Sequence, residues 1–124
     1  MSDAIVLAGH GSRSPEANAS LEALAATLAE NVGMPVYPGF LEMTEPSIPA
    51  ALRAAKAAGA KRIVLVPYFL LPGMHVKRDL AAIAAAASAE LGLPVEIADF
   101  LGAHPGVPNL LADISRTALA ASTT

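Results

Sequence analysis

The stretch AIVLAGHGSRSP, residues 4–15, decides how the rest of the chain is read. It opens as an apolar run of strand length, closes at Gly9, and passes at once to His10, Gly11 and Ser12. Ser14 and Pro15 then supply a helix N-cap and a first-turn proline, so a helix starts within a few residues of the strand's end. A buried strand feeding directly into a helix is the first half of a β–α–β unit.

Working outward, the pattern repeats. Val36–Leu41, Arg62–Pro67 and Val95–Ala98 are short runs rich in Val, Ile and Leu without strict alternation. Such runs suit parallel strands covered on both faces. Alanine-rich segments with helical spacing lie between them. In the first, Ala17, Leu21, Leu24 and Leu28 mark one helical face, and Gly33 ends it. The second helix begins near Ser47–Pro49 and stops at Gly59. The third runs from about His75 to Gly92, and the fourth from about Pro108 to Ala121. The order βαβαβαβα predicts an α/β fold: a doubly wound, flavodoxin-like, four-stranded parallel sheet with helices on both faces and right-handed crossovers. One domain over 1–124 is expected, with 119–124 as a frayed polar tail.

Composition narrows the function. Of 124 residues, 54% are hydrophobic and 15% charged, which supports a packed core rather than disorder. Gly and Pro break the apolar stretches well short of the roughly 20 residues a membrane helix needs. The first residues carry no basic segment, so no signal peptide is expected. The absence of Cys excludes disulfides, thiolate metal sites and Cys nucleophiles, and fits a cytoplasmic setting. A net charge of −3 without a basic stripe argues against nucleic acid. The expected partner is a small molecule or another protein, not a membrane.

In open α/β sheets ligands bind beyond the carboxyl ends of the strands, where strand order reverses. His10 follows the first strand, Glu42 the second, His75 the third and His104 the fourth. All three histidines therefore belong to one rim. With flavodoxin-like order the first and third strands are neighbours, which brings His10 and His75 close, with Glu42 on the adjoining loop. Two imidazoles and a carboxylate suit a borderline divalent ion such as Co²⁺, Fe²⁺, Ni²⁺ or Zn²⁺, and leave a coordination position open. The same imidazoles could serve as general bases. Glu45 competes with Glu42 but lies further from the strand end. His104, in GAHPG, reads as a turn residue ahead of the fourth helix.

Arg13, Lys77 and Arg78 share the rim loops with His10 and His75, and they imply an anionic ligand steered by local field. Phe69, Leu70, Leu71 and Met74 crowd just ahead of His75, as in a ligand groove or a protein interface. A flat ligand, apolar in the middle and anionic at its edge, satisfies the whole rim.

GHGSR at 9–13, FLEMTEPSI at 40–48, VPYFLLPGMHVKRD at 66–79 and GAHPG at 102–106 together resemble the sirohydrochlorin chelatases, class II enzymes that include cobalt and iron chelatases. The resemblance covers nearly the whole chain in order, in the short single-domain form that pairs as a homodimer. The Leu71–Pro72 pair before Gly73 is a modest departure. The resemblance implies that His10 and His75 are catalytic and metal-binding, that Glu42 is a metal-binding and catalytic partner, and that sirohydrochlorin is the substrate. It implies insertion of Co²⁺ or Fe²⁺, with Ni²⁺ also accepted by the ligand set, in cobalamin or sirohaem biosynthesis and without an organic cofactor. In this reading Arg13, Lys77 or Arg78 pair with the substrate's carboxylates, and neutral imidazoles take the two pyrrole protons. A four-stranded sheet offers too little wall to enclose a tetrapyrrole alone, which favours a dimer.

Other readings compete. A non-catalytic carrier of divalent metal or tetrapyrrole would use the same ligands, and only turnover separates the two. Histidine phosphatases carry an Arg before the His of their strand-end motif, whereas here Ala8 precedes Gly9–His10. Ser12 lacks the G-x-S-x-G elbow of a serine hydrolase.

Overall fold

The computed structural model describes residues 2–122. Strand β1 (Asp3–Gly9) leads to helix α1 (Pro15–Val32), β2 (Val36–Phe40), α2 (Ile48–Ala57), β3 (Arg62–Pro67), α3 (Met74–Leu91) and β4 (Val95–Ile97). A single 3₁₀ turn (Leu101–Ala103) precedes helix α4 (Val107–Ser122). The four strands form one parallel sheet in the order β2-β1-β3-β4, so β1 and β3 are neighbours as the flavodoxin-like expectation requires.

Local chemistry sets the boundaries. The Ser14 side chain accepts the Ala17 N–H, Pro15 fills the first turn of α1, and Gly33 closes it in the left-handed region at φ 67°. Ser47 caps α2 in the same way, accepting the Ala50 N–H. Among the described residues no helix is long and apolar enough to cross a membrane. The tail expected at 119–124 is helical as far as Ser122, and 123 and 124 lie outside the described residues.

The two faces of the sheet are packed unequally. On one, Val6, Ile63 and Leu65 are fully buried beneath Ile48 and Leu52 of α2 and Leu80 of α3. Alanines 51, 55, 84 and 87 let both helices approach the strands closely. On the other, α1 covers Leu7 and Phe40 with Leu21 and Ala25. That is where its coverage ends: Val64 and Val66 of β3 are only half-buried, and Leu24 and Leu28 of α1 remain partly open.

Helix α4 does not fill the gap. Its principal packing is against the 3₁₀ turn before it, and none of its residues 107–121 is buried. The expected helices on both faces are therefore present, but three of the four cover this sheet and the fourth stands off it. The spacing of α4 marks it as amphipathic, and nothing in the spacing says which surface receives it.

Register positions the rim. Gly9 pairs with Phe40 and Ala8 with Pro67, so β1, β2 and β3 end nearly level. The ladder continues past the strand ends: Leu41 N–H donates to the Gly9 carbonyl at 2.9 Å and Glu42 N–H to the His10 carbonyl at 3.0 Å. The loops bearing the first imidazole and the carboxylate are thus tied together through backbone.

Candidate active site

His10 and Glu42 meet through their side chains, with His10 Nε2 and Glu42 Oε1 3.0 Å apart and both about half exposed. An ionised carboxylate only accepts, so the imidazole nitrogen facing it carries the hydrogen and Nδ1 is left as the basic nitrogen. The edge of the ring packs against Phe69 in a T-shaped contact, centroids 6.3 Å apart. Gly11 makes the approach possible. At φ 101° it takes a conformation that side chains disfavour, and a Cβ there would fall 1.8 Å from the Glu42 carbonyl oxygen.

His75 lies in the first turn of α3 and faces the same open cavity. That cavity, about 430 Å³, is lined by His10, Leu41, Glu42, His75, Val76 and Asp79 together with Ala82 and Ile83. The three residues expected to form the site therefore share one concavity. They do not yet close on one point: among the described residues no three His, Asp or Glu side chains are gathered as a finished metal site. His10 and Glu42 form the preassembled pair, and His75 stands across from them.

Two contributors were not anticipated. Asp79 is one helical turn beyond His75 and adds a second carboxylate to the cavity; the i, i+4 spacing carries that signal. Asn18 clamps the loop after β1, its Oδ1 accepting the Ser12 N–H at 3.1 Å and its Nδ2 donating to the Ser12 carbonyl at 2.8 Å. Glu45, the competitor of Glu42, accepts the Ser47 N–H at 3.0 Å at the start of α2. His104 is a turn residue, its Nδ1 accepting the Gly106 N–H at 2.8 Å.

The cations are less concentrated than their loop positions suggested. Lys77 places its ammonium 5.1 Å from the Phe100 ring centroid, in a recess it shares with Asp99 rather than with His10. Arg13 and Arg78 are exposed and form no ion pair among the described residues. The apolar rim is real: Leu70, Leu71 and Met74 are 63%, 86% and 66% exposed, with Met43 on the facing loop at 61%.

A doubly wound parallel sheet with two imidazoles and two carboxylates lining one open cavity beyond its strand ends defines the protein as an α/β domain of flavodoxin-like strand order. The chain belongs to the CbiX family, whose model matches residues 4–118. It is 39% identical over 114 residues to the chloroplastic sirohydrochlorin ferrochelatase of Arabidopsis thaliana, a match covering 90% of this chain and 49% of that protein. It is 44% identical over 79 residues to the sirohydrochlorin cobaltochelatase of Methanocaldococcus jannaschii, covering 63% and 55%. The fold superposes on a CbiX protein from Marinobacter aquaeolei VT8 with a TM-score of 0.86 and 27% identity, over 95% of this chain and 98% of that one. The sirohydrochlorin chelatase SirB of Bacillus subtilis subspecies spizizenii, solved in complex with cobalt, matches with a TM-score of 0.72 and 32% identity, over 80% of this chain and 43% of that one. The chain spans about half the length of the curated relatives it matches.

Proposed function

We propose that this chain is a sirohydrochlorin chelatase that inserts Co²⁺ or Fe²⁺, and Ni²⁺ where it is supplied, into the macrocycle. The single observation that carries the reading is the His10–Glu42 pair opening onto the cavity that also holds His75. Relatives named as cobalto- and ferrochelatases support it.

The ion is substrate. An entering M²⁺ is drawn to Glu42 and to the basic nitrogens of His10 and His75, and rotation of the exposed His75 side chain completes the set. The tetrapyrrole lies over the apolar rim of Leu70, Leu71 and Met74. As the ion passes to the macrocycle nitrogens, two pyrrole N–H protons leave. The imidazoles released from the ion accept them, so one M²⁺ enters for two H⁺. Glu42 stabilises the imidazolium formed at His10 through the hydrogen bond already in place. The ion keeps its valence, so the reaction calls for no redox or organic cofactor. Arg13 and Arg78 are free to meet substrate carboxylates. Lys77 must leave Phe100 to do so. Two copies of the chain enclose the substrate between them, in the cytoplasm, in a pathway leading to cobalamin or sirohaem.

Sirohydrochlorin absorbance followed with Co²⁺, Fe²⁺ and Ni²⁺ tests this. The expected result is repeated turnover with a protein-dependent rate that His10→Ala and His75→Ala abolish. One equivalent of metallated product and no more would make the chain a carrier, and an unchanged rate in both variants would overturn the assignment.

A further inference from the structure

Asn18 interrupts an alanine-rich helix. Ala17 and Ala19 flank it in α1, with Ala23, Ala25 and Ala26 just beyond, and alanine is much the better helix former. Helix stability therefore gives no reason for an amide at this position. The side chain instead reaches back six positions and engages both polar backbone groups of Ser12, accepting its N–H at 3.1 Å and donating to its carbonyl at 2.8 Å. Such local bonding is the mechanism by which asparagine competes with helix formation, and here it is spent on a loop.

That loop has little else to hold it. His10, Gly11, Ser12 and Arg13 bury no side chain. Open cavities lie on both sides of His10: one of about 430 Å³ shared with Glu42 and His75, and one of about 370 Å³ on the α1 side shared with Ser12 and Asn18. A segment with so few apolar contacts opens easily unless hydrogen bonds keep it in place. On the β2 side the His10 carbonyl accepts the Glu42 N–H at 3.0 Å. On the α1 side the backbone of Ser12 is held by Asn18, and Ser12 Oγ accepts the Ser14 N–H at 3.0 Å. Gly11 is the pliable joint between the two anchors, at φ 101°.

We propose that Asn18 is a positioning residue for His10 in metal insertion, keeping the imidazole beside Glu42 through the backbone of Ser12. The inference rests on the chelatase reading above and adds a residue that acts through His10 rather than on the ion or the macrocycle. Asn18 can do this because α1 is itself fixed to the sheet. Leu21, one turn further on and on the same side of the helix, is buried with Leu7 and Phe40. Gly9 leaves room for it, since a Cβ there would fall 2.7 Å from Leu21 Cδ2. The position of a core-packed helix thus reaches the loop through one amide. Without that amide, the Ser12 N–H and carbonyl turn to water, and the loop pivots at Gly11 into the α1-side cavity. His10 then leaves Glu42, and the imidazole is misplaced both for the ion and for the proton it must accept.

The test uses the full chain. Asn18→Ala should lower the protein-dependent rate of Co²⁺ insertion into sirohydrochlorin by about 10-fold, as loss of a residue supporting a metal ligand does. Hydrogen exchange at the Glu42 amide, which rests on the His10 carbonyl, should quicken far more than exchange at the amides of β3. Asn18→Asp keeps an acceptor for the Ser12 N–H but loses the donor to its carbonyl, so both readouts should fall between those of Asn18→Ala and the parent. Thr27→Ala removes a side-chain bond to the Ala23 carbonyl further along α1 and should change neither. Four results would each overturn the positioning role: an unchanged rate in Asn18→Ala, equal quickening at Glu42 and β3, an Asn18→Asp variant no faster than Asn18→Ala, or the same losses in Thr27→Ala. A parent without turnover overturns the chelatase reading instead, and exchange at Glu42 then decides alone whether Asn18 holds His10.

Discussion

His10 and Glu42 stand 32 positions apart in the chain, yet their side chains meet at 3.0 Å because the ends of β1 and β2 are level and their loops are laced by backbone hydrogen bonds. The pair is held by the sheet, not by either loop alone. His10→Ala removes a ligand and a proton acceptor, and metal insertion should fall by about 100-fold or more. Glu42→Gln keeps a hydrogen-bond acceptor but loses the charge that stabilises the imidazolium, so its loss should be smaller than that of His10→Ala. Both residues are half exposed, and the thermal unfolding of both variants should match the parent.

Asp79 calls for a separate measurement. It faces the His75 cavity without a hydrogen-bond partner for its side chain among the described residues, so its charge is free to act on a cation. Asp79→Asn should weaken Co²⁺ binding by about 10-fold, the lower end for a residue supporting the ligands. The effect should shrink as ionic strength rises, because a carboxylate acting at a distance is screened. Titration of Co²⁺ at low and high salt checks both.

Much of this arrangement is legible in the amino-acid sequence. Strand positions followed from the short Val/Ile/Leu runs, and helix starts from Ser14–Pro15 and Ser47, because capping is local chemistry. The neighbourhood of β1 and β3 followed from topology, and with it the shared rim of His10, Glu42 and His75. What sequence did not carry was direction within the rim. Lys77 lies two residues after His75, but the rotation of α3 turns it to Phe100 instead of the imidazoles. Asn18 was missed because a clamp on Ser12 depends on how the loop folds back over the helix start. The stand-off of α4 was missed for another reason: an amphipathic stripe reports that it needs cover and is silent on which surface supplies it.

Stability should follow the better-packed face. Leu65 is fully buried on β3 beneath α2 and α3. Leu65→Ala should cost about 2–5 kcal/mol. Arg53 and Glu90 also join α2 to α3, at 3.1 Å, but the side chains are 58% and 53% exposed. Arg53→Ala should cost no more than about 1 kcal/mol. Chemical denaturation of the two variants separates these values, and a larger loss for Arg53→Ala would mean that charge rather than burial holds the two helices together.

Gly11 and Gly59 provide a matched pair for asking what holds the His10–Glu42 geometry. Their φ values, 101° and 106°, are nearly the same, so an alanine at either position is strained by about 1–3 kcal/mol. Their surroundings differ. A Cβ at Gly59 would meet nothing within 4 Å, whereas one at Gly11 would fall on the Glu42 carbonyl. Gly11→Ala must therefore push the Glu42 loop outward and break the backbone bond from Glu42 N–H to the His10 carbonyl. Both variants should unfold at lower temperature, but only Gly11→Ala should also weaken Co²⁺ binding and slow metal insertion. Equal loss of metal binding in the two would show that general destabilisation, and not the approach of these two loops, sets the site. Full binding in Gly11→Ala would show that His10 and Glu42 need not be held together for the ion to be taken.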